Sequence, residues 1–71
     1  MSSDVRESFG QRLRELREDR GWTQTKLARV VGLKRTYLSE IESGKRNPSL
    51  LNLKAIADGF HFPLSNLFTG L

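Results

Sequence analysis

The sequence predicts an all-α protein, a compact bundle of five short helices. Three observations carry that expectation. Apolar residues recur at helical spacing in each long segment, capping residues and glycines punctuate the chain between those segments, and the period-two alternation of strands is missing.

Asp4 stands as N-cap of a first helix, with Glu7 three residues on in a capping-box arrangement that puts acids where the helix dipole favours them. Val5, Phe9, Leu13 and Leu16 fall on one stripe, which predicts their burial. Gly21 ends the helix. Thr23 caps a second helix whose Leu27, Ala28 and Val31 share a face, and Trp22 before the cap can pack on Leu27 as a hydrophobic staple. A third helix, about Arg35 to Ser43, buries Leu38 and Ile41 and stops at Gly44, and "KRNP" follows as a loop. Ser49 caps a fourth helix with Leu50, Leu53, Ile56, Ala57 and Phe60 on its apolar side. Pro63 opens a short fifth helix at its first position, with Leu64, Leu67 and Phe68.

At 71 residues the chain has room for one domain with one small core, spanning residues 1–71. There is no Cys and His61 is the single histidine, so disulfides, thiolate zinc sites and a histidine metal cluster are excluded. With one His and only dispersed carboxylates, no nucleophile or acid–base pair suggests itself, and the expectation is a non-enzyme without cofactor or small-molecule effector. No apolar run approaches the roughly 18 residues of a membrane span. The expected location is therefore cytoplasmic.

Charge is distributed unevenly. Between Gly21 and Pro48 lie Lys26, Arg29, Lys34, Arg35, Lys45 and Arg46 against Glu40 and Glu42, while the rest of the chain balances six cations against six anions. The whole formal excess of +4 falls in that one segment. Such a segment is either a solvated basic face or an electrostatic footprint for nucleic acid, and charge alone does not decide.

Helices two and three are joined only by "GLK", where Gly32 is free to take positive φ, so residues of about 23–43 form a helix-turn-helix. In that motif the second helix enters the major groove by its N-terminal end. Thr36, Ser39 and Ser43 fall opposite the Leu38 and Ile41 stripe, flanked by Arg35 and Glu40. The exposed face is short, polar and hydrogen-bonding, unlike the Leu, Met and aromatic anchors of a protein-binding helix. DNA binding is favoured over a protein-interaction or antitoxin-type module.

"WTQTKLARVVGLKRTYLSEIESGKRNPSL", followed by "LKAIADGF" and "PLSNLF", resembles the lambda-repressor-like helix-turn-helix family of XRE or Cro/C1 type over about Phe9 to Phe68. The marks are Thr23-Gln24, Leu27-Ala28, Gly32, Ile41-Glu42 before Gly44, and Asn47-Pro48-Ser49. "RTYLSEIE" is similar to the small controller proteins of restriction-modification systems. The resemblance implies a five-helix domain acting as a transcriptional regulator, a homodimer on double-stranded DNA with a palindromic operator. It implies base reading by Arg35, Thr36, Ser39 and Glu40. Arg35 suits guanine, Thr36 a thymine methyl, and Glu40 cytosine N4 or the exclusion of wrong sequences. It further implies phosphate contacts from Thr23, Gln24, Lys34, Tyr37, Lys45, Arg46 and Asn47, with Gln24 also bracing a base-reading side chain. Arg17 and Glu42 match a partly buried structural ion pair. Lys34 stands where the family often has a Ser or Thr cap. His61 stands where it often has Gly, leaving His61 or Gly59 to take the strained backbone. The apolar fifth helix and tail offer Leu64, Phe68 and Leu71 as candidates for a dimer contact, the alternative being that they simply complete the core.

Overall fold

The computed structural model describes residues 4–71 and contains five helices: α1 (Val5–Asp19), α2 (Gln24–Val31), α3 (Arg35–Glu42), α4 (Leu50–Phe60) and α5 (Leu64–Leu67). No strand occurs among the described residues. The helices pack as a closed circuit, α1 on α3, α3 on α2, α2 on α4, α4 on α5 and α5 back on α1. Each helix thereby gives its apolar stripe to a common centre. That centre is built from Phe9, Leu13, Leu16, Leu27, Val31, Leu38, Ile41, Ile56, Ala57, Phe60 and Leu67. No helix of the described residues is long and apolar enough to cross a membrane.

Local chemistry starts most helices as the sequence predicts, with corrections. The Asp4 carboxylate accepts from the Arg6 N–H at 2.9 Å and grips the Arg6 guanidinium as well, so its reciprocal partner is Arg6 and not Glu7. That contact holds the Asp4 carboxyl down to about 2. Thr23 and Ser49 cap α2 and α4 by accepting from the N–H groups of Lys26 and Asn52. Pro63 sits at the N-cap of α5, one position earlier than expected. Val5 and Leu50, expected in the core stripes, are 66% and 70% exposed. Both lie in the opening turn of their helices, where the circuit of neighbours does not reach. His61, not Gly59, takes the left-handed conformation, at φ 60°; Gly59 stays helical, and glycine is needed there because a Cβ would press on Val31 of α2.

Gly10 was not singled out by its sequence, yet it sets how closely α1 approaches α3. A Cβ at this position would stand 2.7 Å from the carbonyl oxygen of Glu42, and closer still to that of Ile41. The close approach brings Arg17 of α1 onto Glu42 of α3, Nε to Oε2 at 2.7 Å and Nη2 to Oε1 at 3.0 Å. The same guanidinium donates from Nη1 to the Trp22 carbonyl, and Gln24 of α2 donates to Glu42. One ion pair thus ties three elements. Donating to the Glu42 carboxylate raises the Arg17 pKa above its ordinary value, so the pair stays charged on the arginine side at any accessible pH.

Two outcomes follow from this corner. Gly10→Ala is expected to destabilise the protein by about 1 to 3 kcal/mol through overpacking, and to lower the thermal midpoint by at least about 4 °C. A raised midpoint, as an exposed helical Gly→Ala change gives, would contradict the close approach. Arg17 and Glu42 side chains are only 11% and 5% exposed. Glu42→Gln therefore leaves a covered guanidinium unpaired and should cost about 3 to 5 kcal/mol in urea unfolding.

Candidate nucleic-acid interface

The turn between α2 and α3 is made by Gly32, at φ 74°, whose N–H returns to the Ala28 carbonyl, while Leu33 packs against the core. α3, eight residues long and so roughly 12 Å, is held from below by Leu38 and Ile41, both fully buried. Its outer side carries Arg35 and Thr36 exposed, Ser39 half-buried and Ser43 exposed. This is the short polar face that helical spacing requires. Ser43 is the C-cap and donates its hydroxyl to the Glu40 carbonyl.

The start of α3 has no neutralising group. Lys34 occupies the N-cap without a side-chain cap bond, and neither α2 nor α3 has an acidic residue in its first turn. Unpaired N–H groups and two cations thus meet at one helix end. At the start of α2 the side chains are already engaged. The Thr23 hydroxyl oxygen accepts from Lys26, and the Gln24 amide nitrogen reaches Glu42, so in this structure Gln24 braces the ion pair.

At the other end of α3 the side chains interlock. Glu40 holds Arg46 through Nε to Oε1 at 2.9 Å, and this hydrogen bond raises the Arg46 pKa. The Arg46 guanidinium lies over the Tyr37 ring, 5.4 Å from its centroid. The Tyr37 hydroxyl in turn accepts from Nδ2 of Asn52, on α4, at 2.9 Å. Together with Lys34 and Thr36 these groups line a shallow open cleft beside α3. Lys45 and Asn47 are exposed in the loop that follows.

The partners of the cations divide the molecule. Outside the basic segment all six are engaged. Arg6 binds Asp4, Arg14 binds Glu18, Arg17 binds Glu42 and Lys54 binds Asp58. Arg12 donates to the Asn66 carbonyl, and Arg20 donates to the Phe60 carbonyl while lying over Trp22, Phe60 and Phe62. Within the segment only Arg46 has a carboxylate. The side chains of Lys26, Arg29, Lys34, Arg35 and Lys45 have no hydrogen-bonding or ionic partner among the described residues.

Leu64 is half-buried against the core, whereas Phe68 and Leu71 remain 39% and 45% exposed, Phe68 resting on Phe9 with ring centroids 5.7 Å apart. Leu51 on α4 is more exposed than any of these, at 81%. Sequence reasoning passed over Asn52 and the anchoring arginines Arg12 and Arg20. Asn52 had a signal: it stands three residues after the Ser49 cap, where a polar side chain turns back toward the preceding loop.

The helix-turn-helix family model HTH_3 matches residues 13–67. The control protein C.MunI of Mycoplasma sp. is 41% identical over 97% of this chain and 95% of its own length. The restriction-modification controller protein C.AhdI from Aeromonas hydrophila superposes with a TM-score of 0.87 at 42% identity, over 90% of this chain and 97% of that one. SinR, the master regulator for biofilm formation solved in complex with DNA, superposes with a TM-score of 0.78 at 30% identity, over 84% of this chain and 97% of SinR. With five helices in the lambda-repressor-like arrangement, the chain belongs to the helix-turn-helix family of XRE (Cro/C1) type, a transcriptional regulator fold close to the restriction-modification controller proteins.

Proposed function

We propose that this protein is a sequence-specific DNA-binding regulator that works as a homodimer on a palindromic operator, with α3 in the major groove. The observation that carries this reading is the division of the cations. Five of the six in the basic segment are unpaired among the described residues, although every cation elsewhere has found an internal partner. A duplex supplies the missing anions at regular spacing, and their neutralisation releases counterions.

On this reading Arg35, Thr36, Ser39 and Glu40 face base edges, with Arg35 suited to the O6 and N7 of guanine. Lys34, Lys45, Arg46 and Asn47, with Thr23, Gln24 and Tyr37, hold the phosphate backbone and fix register without reading sequence. The dimer contact draws on Phe68, Leu71 and the exposed leucines of α4, which are among the apolar side chains the single chain leaves uncovered, with the half-buried Leu64 beside them. Large apolar anchors are absent from the outer face of α3, which supports DNA over a protein partner there.

Selection of bound duplexes from random-sequence DNA tests the reading. The expected site has a dyad with half-sites about one helical turn, roughly 34 Å, apart, and binding falls steeply with salt. An asymmetric site or salt-insensitive binding would overturn it. Arg35→Ala should cost about 1 to 3 kcal/mol mainly at one base pair of each half-site, while Lys45→Ala weakens all sequences alike.

Lys34 gives a prediction with two opposite signs. Lys34→Ser supplies the missing N-cap bond and should stabilise the free protein by about 0.5 to 2 kcal/mol. The same change should make the slope of log affinity against log salt shallower by roughly two for a dimer. Higher stability with unaltered binding would place Lys34 in water only.

A further inference from the structure

We infer that Asn52, on α4 and outside the helix-turn-helix, is a positioning residue that fixes the Tyr37 hydroxyl as an outward hydrogen-bond donor toward a DNA phosphate. The inference rests on the DNA-binding reading above and deepens it.

The argument begins with the polarity of one hydrogen bond. A phenolic oxygen donates one hydrogen and accepts through its lone pairs. Nδ2 of Asn52 is a donor only, so at 2.9 Å it occupies a lone pair of Tyr37 and cannot take its hydrogen. No acceptor for that hydrogen occurs among the described residues. The O–H is left directed away from Asn52.

Both partners are held. The backbone N–H of Asn52 donates to the Ser49 cap at 3.1 Å, which fixes the first turn of α4 from which the amide projects. The Tyr37 ring is half-buried on its helix and covered by the Arg46 guanidinium. The cleft that Tyr37 lines is shared with Lys34, which has no counter-ion, and with the exposed Arg46–Glu40 pair, so its lining keeps a net positive charge that makes it receptive to an anion. An O–H fixed in a cleft of net positive charge is arranged for a phosphate oxygen, and a donated hydrogen bond to a charged acceptor is stronger than a neutral one. A lone pair engaged by an amide donor also makes the hydroxyl a better donor. Asn52 therefore acts on DNA through Tyr37 and touches no base.

A double-mutant cycle on the full chain tests this, using a labelled duplex selected from random-sequence DNA by the wild-type protein. Tyr37→Phe should weaken binding about tenfold, as loss of a hydrogen bond to a charged group implies. Asn52→Ala should weaken it about threefold in the wild type and negligibly in the Tyr37→Phe background, because its effect passes through the hydroxyl. Asn52→Asp guards against a folding artefact. A carboxylate at the third position of α4 suits the Ser49 cap and the helix dipole, so thermal stability is kept. Yet the carboxylate captures the Tyr37 hydrogen, and part of its binding loss should disappear when Tyr37 is Phe. Equal losses from Asn52→Ala in both backgrounds, or none in either, would overturn the assignment while leaving DNA binding intact. Failure of the wild type to select any duplex would instead overturn the functional reading and this inference with it.

Discussion

The ion pair between Arg17 and Glu42 is the constraint on which the rest of the arrangement depends. It joins α1 to the end of α3, takes in the Trp22 carbonyl just before α2, and is braced by Gln24 at the start of α2. With both side chains nearly covered, the desolvation of two charges is offset only by good geometry, and here both guanidinium edges find oxygen. Such a pair adds little net stability compared with an apolar replacement. What it fixes is orientation. Apolar contacts between α3 and its neighbours tolerate sliding, whereas a bidentate carboxylate tolerates little. The polar face of α3 is thereby held at one angle to α2, as the proposed reading role requires.

The parts of this fold that were legible in the sequence are those set by local periodicity. Leu38 and Ile41 three apart, Thr23 and Ser49 before apolar runs, and Gly32 between two short helices each depend on neighbours a few residues away. The structure reproduces them. Val5 and Leu50 satisfy the same periodicity and are nevertheless exposed, because burial depends on whether a partner helix reaches the opening turn, which spacing does not encode. Gly10 and Gly59 were opaque for the converse reason. In a helical pattern glycine reads as a weakness, and only the neighbouring helix shows that a Cβ has no room there.

The candidate site divides along the same line. That α3 would offer Arg35, Thr36, Ser39 and Ser43 outward follows from one helix's geometry and could be read in advance. For Asn52 only its place after the Ser49 cap was legible; its partner was not, since the link to Tyr37 crosses fifteen residues and a loop. Apart from Arg17, whose pairing with Glu42 the resemblance implied, the partners of the cations were not foreseen. Counting charges gave the basic segment its excess of +4, but a count treats Arg12 and Lys45 alike. The structure separates them: Arg12 donates to a backbone carbonyl of the α5 turn, whereas Lys45 stands free.

Arg46 stands apart from the unpaired cations, being held by Glu40 and stacked on Tyr37. If that pair were strong, engaging DNA would cost as much as it gained. Both side chains are about half exposed, and exposed ion pairs contribute only about 0 to 1 kcal/mol. On the proposed reading, in which a duplex covers this cleft, a charge-assisted bond from Arg46 to a phosphate would exceed that. The pair therefore orders Arg46 over Tyr37 in the free protein without blocking its transfer to phosphate. Such a transfer would in turn free Glu40, at the edge of the proposed reading face, to meet a base donor or to repel what offers none. On the proposed reading, the sequence-independent clamp and the sequence-dependent contact are coupled through this weak pair.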